Sequence, residues 1–276
     1  LVPYVPGKPV DELQRELGLT EIVKLASNEN PLGTGAKVAA AIQATLPELT
    51  RYPDGSGFAL KAALSAKLNV EPQQITLGNG SSEILELVAR TFLTPEHEVV
   101  FSQHAFALYP ILTQAVGAIA KSVPAKDFGH DLDAMRAAIT DKTRLVFIAN
   151  PNNPTGTLLD TAALEAFIAS LPHDVLCVLD EAYYEFVDPA VRAESLDWPN
   201  RYPNLIIART FSKAYGLAGF RIGYGISSLD IADLLNRVRQ PFNCNMLALA
   251  AAEAALSDTD YLQQTLAVNR AGMAQL

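Results

Sequence analysis

The sequence has few cysteines and no long apolar run. Only two of the 276 residues are cysteine, Cys177 and Cys244. Two are too few for a disulfide framework and are typical of a reducing cytoplasm. No apolar run approaches the roughly 20 residues that span a bilayer, and the start, LVPYVPGKP, does not resemble a signal peptide. We therefore expect a cytoplasmic protein rather than a membrane or secreted one.

Positive charge is also scarce. The chain carries 21 basic and 30 acidic residues, a formal net charge of −9. This balance disfavours nucleic acid and anionic membranes as partners and favours a small molecule. The four histidines, His97, His104, His130 and His173, are scattered without the paired spacing of a zinc site, so we expect no metal. No serine or cysteine nucleophile motif of the hydrolase kind is present either.

The chain does have a regular alternation of apolar runs and helical segments, beginning near residue 74. Such alternation predicts an α/β fold, in which helices cover both faces of a mainly parallel sheet in three layers. The predicted strands cover residues 75–77, 98–101, 145–149, 175–179, 205–208 and 221–226, and helices are predicted at 35–46, 82–93, 132–139, 160–170, 245–257 and 259–276. In such sheets ligands bind beyond the carboxyl ends of the strands, so the polar residues there are the candidate site residues.

The segment TFSKAYGLAGFRIGYG, residues 210–225, places one lysine on a turn between two strand-like runs. The lysine is Lys213, with Thr210 and Ser212 before it and Arg221 eight residues after it. An amine, two hydroxyls and a guanidinium in this spacing indicate a phosphorylated cofactor that is bound through an amine. The alternative interpretation is a solvated surface lysine.

Two further loops carry polar residues directly after predicted strands. In GNGSSE, residues 78–83, Ser81 and Ser82 open a helix whose free amides suit a phosphate, although an ordinary capped turn has the same pattern. In NPNNPTG, residues 150–156, Asn153 is the candidate for direct ligand contact, and a proline-rich turn is the alternative.

Acidic and aromatic residues follow the other strands. In DEAYYEF, Asp180 ends a strand with Tyr183 three residues later, so the carboxylate either partners a protonated ring nitrogen or caps a helix. In QHAFALY, Phe106 is a candidate for stacking on a planar ring and Tyr109 for a position near the substrate, but both are equally typical of a core. Tyr52, in RYPDGSG, is either a ligand or part of a surface turn.

In this order and at these intervals, NPNNPTG, DEAYYEF and SKAYGLAGFRIGYG resemble the fold-type I aminotransferases, which depend on pyridoxal phosphate. The match covers nearly the whole chain. Four N-terminal segments, YVPGKPVDEL, KLASNENPLG, RYPDGSG and GNGSSEILELVARTF, are similar to the histidinol-phosphate aminotransferase branch of that family.

The resemblance implies a role for each candidate residue. Lys213 would bind the cofactor covalently and then move the proton between substrate and cofactor, and Asp180 would keep the pyridine nitrogen protonated. Asn153 and Tyr183 would hydrogen-bond the phenolic oxygen, and Phe106 would stack on the ring. The cofactor's phosphate would be held by Ser81, Ser82, Thr210, Ser212 and Arg221, and by Tyr52 of a neighbouring subunit in a homodimer.

Domain limits follow from the same resemblance. Residues 1–34 would form an arm and part of a small domain, residues 35–257 the large cofactor-binding domain, and residues 258–276 the start of a long helix. The chain lacks methionine at its start and ends without a helix terminator, so we expect it to be trimmed and to stop inside that helix. The rest of the small domain, with the arginines that bind substrate, would then be absent. What remains near the substrate would be Asn28, Glu29 and Asn30 of the arm, and Tyr109.

The implied activity is the transamination of histidinol phosphate with 2-oxoglutarate. Two alternatives remain open at this point. The first keeps the cofactor but changes the substrate, as in an aromatic amino acid aminotransferase or a threonine-phosphate decarboxylase. The second is a fragment that binds pyridoxal phosphate without turnover.

Overall fold

A computed structural model describes residues 7–276, so the first six residues of the predicted arm lie outside the described part of the chain. One sheet of seven strands has the order β1-β7-β6-β5-β4-β2-β3. The strands are β1 Ile75–Gly78, β2 Glu98–Ser102, β3 Ile119–Val123, β4 Thr143–Ala149, β5 Leu176–Asp180, β6 Leu205–Thr210 and β7 Gly223–Ser227. Strand β7 pairs antiparallel with both β1 and β6, and the remaining pairs are parallel. The expectation of a mainly parallel sheet is confirmed.

Helices cover both faces of this sheet. They are α1 Val10–Leu17, α2 Ala36–Thr45, α3 Phe58–Leu68, α4 Ser81–Phe92, α5 Leu108–Ala115, α6 Leu132–Ala137, α7 Thr161–Ala169, α8 Trp198–Arg201, α9 Leu229–Val238, α10 Met246–Ser257 and α11 Thr259–Gln275. One apolar core packs α4, α5 and α9 against one face, and a second packs α2, α3, α6, α7, α8 and α10 against the other. Alternate strand residues, such as Phe147 and Ile148, supply the two cores, so the three-layer prediction is confirmed. No helix among residues 7–276 combines the length and apolar character required to cross a membrane.

Several elements depart from the sequence-based expectations. The sequence predicted no strand at β3, which lies at the sheet edge and is largely exposed, so it lacks the continuous apolar run of a buried strand. Helices α1 and α3 were also missed in the first seventy residues. Gly18, with φ of 64°, follows α1, and Asn69, with φ of 54°, follows α3, so each helix has a left-handed terminating residue.

Strand β7 begins two residues later than predicted, because Arg221 adopts a left-handed turn conformation with φ of 56°. Its first residue, Gly223, lies against the backbone before α4. A Cβ atom on Gly223 would lie 2.4 Å from the amide nitrogen of Ser81 and 2.7 Å from the carbonyl carbon of Gly80. Backbone atoms cannot yield as a flexible side chain can, so glycine at 223 is what lets α4 start beside β7.

We expect Gly223→Ala to lower the free energy of unfolding by at least about 1–3 kcal/mol, the usual cost of forcing extra volume into packed structure. Urea unfolding of the purified protein measures the change. Gly219→Ala is the matched control, because a Cβ atom there would meet no atom within 4 Å. Equal stability of the two variants would contradict the close approach of β7 and α4.

Candidate active site

A cavity of about 710 Å³ opens beyond the carboxyl ends of the central strands. Its lining includes Asn28 and Asn30 of the arm, Asn153 after β4, Tyr183 after β5 and Lys213 after β6. Parallel strands end at a common edge, which is why residues so far apart in sequence meet here. The structure thus brings six of the predicted site residues to one cavity: Asn28, Glu29, Asn30, Asn153, Tyr183 and Lys213.

Lys213 lies on the turn between β6 and β7, and its amine is partly removed from water. Nζ donates a hydrogen bond to the backbone carbonyl of Asn28 at 3.2 Å and lies 5.5 Å from the centre of the Tyr183 ring. Burial lowers the pKa of Lys213, and the positive charge of Arg221 lowers it further, whereas Glu29 and Asp180 act in the opposite direction. A lowered pKa increases the fraction of neutral amine, the form that attacks a carbonyl carbon.

Asp180 is the last residue of β5 and is 5% exposed. Its Oδ2 accepts a hydrogen bond from the Tyr109 hydroxyl at 3.0 Å, and Oδ1 accepts one from the Ala182 amide at 3.2 Å. Burial raises the pKa of Asp180 to about 6, while these two hydrogen bonds favour the charged form. Above that pH the site holds a carboxylate with little water around it, which strongly favours a cation beside it.

The turn before α4 and the guanidinium of Arg221 lie side by side. A Cβ atom on Gly80 would lie 2.5 Å from Nη2 of Arg221, so only glycine allows this approach. Arg221 Nη1 donates to Ser212 Oγ at 3.3 Å, and Thr210 Oγ1 donates to Ser212 Oγ at 3.0 Å. The guanidinium, two hydroxyls and the first amides of α4 therefore form what we call the anion cradle, which consists of Ser81, Ser82, Thr210, Ser212 and Arg221.

The electrostatics of the anion cradle favour a phosphate group. Ser81 and Ser82 are the first two residues of α4, where amides point out of the helix and the helix dipole is positive. The acidic residue nearby, Glu83, is held by other partners, because its Oε2 accepts hydrogen bonds from the Asn79 amide and the Asn243 side chain. The predicted phosphate ligands of this chain thus gather in one place.

The loop after β4 is held by two of its asparagines, and a third faces the cavity. Asn150 Oδ1 accepts from the Leu159 amide at 2.9 Å, and Asn152 Nδ2 donates to the His104 carbonyl at 2.8 Å. Asn153 lines the cavity. Across from it, the Tyr183 hydroxyl accepts a hydrogen bond from Asn28 Nδ2 at 2.8 Å.

Of the two positions open to Tyr109, near the substrate or in the core, the structure shows the core. We expected it near the substrate, but its side chain is 0% exposed and lies behind Asp180, so it does not reach the cavity surface. The cause is packing, because its ring stacks on Phe147 of β4 with centroids 4.5 Å apart and planes at 2°. Phe106 is half-buried and contacts Tyr109 edge to face at 5.8 Å.

Tyr52 lies apart from the other candidate residues of its own chain. Its side chain is 80% exposed and stacks on Phe242 with centroids 4.8 Å apart. It is absent from the lining of the cavity. A role for Tyr52 therefore requires a second chain, as the resemblance implied, and that role stays a prediction.

Sequence reasoning missed a buried ion pair beneath the site. Arg209 Nε and Nη2 lie 2.8 and 2.7 Å from Oε2 of Glu181, and both side chains are 3% exposed. Ser195 donates to the other oxygen of Glu181 at 2.6 Å, and the guanidinium lies 3.6 Å from the centre of the Tyr184 ring. Glu181 directly follows Asp180, and Arg209 directly precedes Thr210. The alternation of side chains along a strand was the signal that could have placed this pair on the opposite face of the sheet from the site residues.

Burial of the Asp180 carboxylate should lower the stability of the cofactor-free protein at pH values where Asp180 is ionised. The pKa of Asp180 is about 6, against 3.8 for the free side chain, so its ionisation costs the folded state free energy, and this cost is complete only above that folded-state pKa. We expect Asp180→Asn to stabilise the cofactor-free protein at pH 8 by on the order of 1–3 kcal/mol, and by much less at pH 4.5. Urea unfolding at both pH values measures the difference.

Glu98→Gln is the matched control for this prediction. Glu98 is 7% exposed, but Thr140 and Lys121 lower its pKa. Its ionised form therefore stabilises the folded state, and the amide variant should be less stable at pH 8. A destabilised Asp180→Asn at pH 8 would contradict the proposed cost of burying that charge.

Comparison with known proteins supports the resemblance to the aminotransferases. A family model described as aminotransferase class I and II matches residues 20–276. Histidinol-phosphate aminotransferase 1 of Nitrosococcus oceani is 63% identical over 276 residues, which cover 100% of this chain and 75% of the relative. The enzyme of the same name from Idiomarina loihiensis is 58% identical and covers 99% of this chain and 74% of the relative.

Solved structures agree with these sequence matches. The histidinol-phosphate aminotransferase of Sinorhizobium meliloti, in complex with pyridoxal-5'-phosphate, superposes with a TM-score of 0.89 at 33% identity and covers 95% of this chain and 71% of that one. Aspartate aminotransferase from Thermus thermophilus with maleate, at 24% identity and a TM-score of 0.83, shares the fold, with coverage of 94% and 70%. By its sequence and its fold, this chain belongs to the class I and II aminotransferases, within the histidinol-phosphate aminotransferase family.

Proposed function

We propose that this protein transfers an amino group between histidinol phosphate and 2-oxoglutarate, yielding imidazole-acetol phosphate and glutamate, in histidine biosynthesis in the cytoplasm. The observation that carries the proposal is the setting of Lys213, whose pKa is lowered and whose neighbours include both the anion cradle and the buried Asp180. The relatives named histidinol-phosphate aminotransferase support the choice of substrate.

The residues present fit pyridoxal phosphate. The anion cradle has the donors that a phosphate needs, and Asp180 is a desolvated carboxylate suited to a protonated ring nitrogen. Asn153 and Tyr183 lie at the cavity where they would hydrogen-bond the phenolic oxygen, and Phe106 would stack on the ring. When bound, this cofactor supplies an electron-withdrawing ring next to the reacting carbon.

Lys213 has two tasks in this proposal. As a neutral amine it would bind the cofactor, and as a free amine it would carry a proton to and from the reacting carbon of the substrate. Burial and the charge of Arg221 both favour the neutral form. The Asn28 carbonyl, which accepts a hydrogen bond from Nζ, orients the amine in the cavity.

Asp180 contributes through its charge. A carboxylate that is 5% exposed stabilises a neighbouring cation much more than an exposed one does, because little water screens it. It would keep the ring nitrogen protonated, which maintains the electron-withdrawing power of the cofactor.

We place the substrate at the arm side of the cavity, beside Asn30. Asn30 Nδ2 donates to the Ala214 carbonyl at 3.3 Å and to Thr265 Oγ1 of α11 at 3.0 Å. The arm, the turn that carries Lys213 and α11 therefore meet at Asn30. This contact between Asn30 and Thr265 supports the division in which residues 1–34 form an arm and part of a small domain, residues 35–257 hold the cofactor and residues 258–276 begin a long helix.

We further propose a homodimer in which Tyr52 reaches the phosphate of the neighbouring subunit's cofactor. Its exposed side chain, which stacks on the exposed ring of Phe242 from another loop, supports this assignment. Exposed aromatic pairs of this kind are typical of protein interfaces.

Lys213→Ala tests the proposed activity. We expect a loss of at least about 10²–10⁴-fold in kcat, the contribution of a positioned acid–base group. In the parent protein, borohydride should fix pyridoxal phosphate to the peptide that contains Lys213, as read by mass spectrometry. Rates with histidinol phosphate, phenylalanine and threonine phosphate, measured side by side, identify the substrate.

Lys67→Ala is the control for that experiment. Burial also lowers the pKa of Lys67, but Lys67 lies on α3 and is absent from the cavity lining, and its amine donates to the Leu256 carbonyl of α10 at 2.7 Å. It should keep its activity and its cofactor. The proposal fails if borohydride labels another lysine or if no half-reaction with glutamate occurs; cofactor binding without that half-reaction would identify a non-catalytic binding protein.

Mixing two inactive variants tests the contribution of Tyr52. In a mixed dimer of Tyr52→Ala and Lys213→Ala chains, one site has both native residues and the other has neither. Random mixing should therefore restore activity at about a quarter of the sites. Sedimentation of each variant establishes the dimer. Activity no greater than the mean of the two parents would show that Tyr52 does not act across subunits.

A further inference from the structure

The Tyr109 side chain contacts both Asp180 and Phe106, two residues to which the proposed function gives roles on the cofactor's ring. Its hydroxyl donates to Asp180 Oδ2 at 3.0 Å, and its ring meets Phe106 edge to face at 5.8 Å with planes at 86°. Tyr109 itself belongs to the first turn of α5. One side chain therefore links the acid predicted at the ring nitrogen with the aromatic predicted on the ring face.

The position of Tyr109 is fixed from behind. The ring is parallel to that of Phe147, at 2° and 4.5 Å between centroids, and the side chain is 0% exposed. Phe147 lies on β4, the strand paired with β5, which ends in Asp180. The hydroxyl is thus held relative to the carboxylate by neighbouring strands of the sheet rather than by a flexible loop.

The hydroxyl of Tyr109 is the donor of this hydrogen bond when Asp180 is ionised. Burial and the charge of Asp180 together raise the pKa of Tyr109 well above its ordinary value. The other titratable groups whose charges act on this pair are Glu181 and Tyr183, after β5, and Lys213, after β6. A hydrogen bond to the ionised carboxylate opposes the effect of burial on the pKa of Asp180.

Two other roles for Tyr109 fit the geometry less well. Substrate contact requires an exposed atom, and Tyr109 has none. A core aromatic needs no hydroxyl, yet this hydroxyl has a carboxylate partner at 3.0 Å in the middle of an apolar cluster. Phenylalanine would fill the same space without burying a polar group.

We propose that Tyr109 is a positioning residue of the amino-transfer reaction: its hydroxyl holds Asp180 ionised and oriented toward the ring nitrogen, while its ring sets the position of Phe106. This inference rests on the proposed function, because the roles of Asp180 and Phe106 depend on it. Tyr109 touches neither the substrate nor the cofactor and acts through these two residues.

Tyr109→Phe isolates the hydroxyl, because the phenyl ring keeps its contacts with Phe147 and Phe106. In the cofactor-free protein, ¹³C NMR of labelled aspartate should find the pKa of Asp180 raised by about one pH unit, the effect of losing one hydrogen bond to a charged group. The dissociation constant for pyridoxal phosphate should rise about tenfold and kcat fall about tenfold, with KM for substrate nearly unchanged.

Tyr202→Phe is the matched control. Tyr202 also donates to a carboxylate, Glu165, at 3.1 Å, but at the opposite end of the sheet from Asp180. This variant should leave the Asp180 titration, the cofactor affinity and kcat unchanged.

A double-mutant cycle separates positioning from general structural damage. In an Asp180→Asn background there is no charge for Tyr109 to stabilise, so adding Tyr109→Phe should change kcat and cofactor affinity less than about twofold. Equal losses in both backgrounds would overturn the proposal, as would a Tyr109→Phe variant that changes only KM or leaves the Asp180 titration unmoved. If Asp180→Asn alone keeps full activity, the assigned role of Asp180 fails instead, and the proposed function is revised independently of Tyr109.

Discussion

The carboxylate of Asp180 is removed from water at the end of the central strand β5, and the surrounding structure compensates for this burial. Two hydrogen bonds, from Tyr109 and Ala182, stabilise the ionised form while burial raises its pKa to about 6. The same lack of water lowers the pKa of Lys213. One physical condition thus favours a neutral amine and strengthens the field of a buried carboxylate, the two properties that the proposed chemistry requires.

The antiparallel strand β7 determines how the anion cradle forms. Because β7 returns directly beside β6, with Thr210 opposite Gly223, both ends of the connection lie at the carboxyl edge of the sheet. A parallel strand would have required a crossover of a dozen or more residues and would have carried Arg221 to the other edge. The hairpin instead keeps Arg221 within hydrogen-bonding distance of Ser212.

The two faces of β5 and β6 carry different polar residues at the carboxyl edge of the sheet. Asp180 and Thr210 lie on the side of the site, whereas Glu181 and Arg209 form an ion pair on the other side with both side chains 3% exposed. A buried pair of this kind stabilises little by itself, but the loss of one partner would leave an uncompensated charge. The pair therefore links the ends of β5 and β6, and so constrains the residues next to it.

The alternation of strands and helices could be predicted from the sequence, as could the positions of Lys213, Asp180 and Asn153 after strands, because those signals are local in the chain. Sequence reasoning missed β3, whose exposed edge position removes the apolar pattern, and it left Tyr109 open between a position near the substrate and one in the core. The position of Tyr109 behind Asp180 could not be predicted from the sequence, because it depends on packing against Phe147 of another strand. Burial, and with it each shift in pKa, is a property of such long-range packing, which residue types and spacing do not contain.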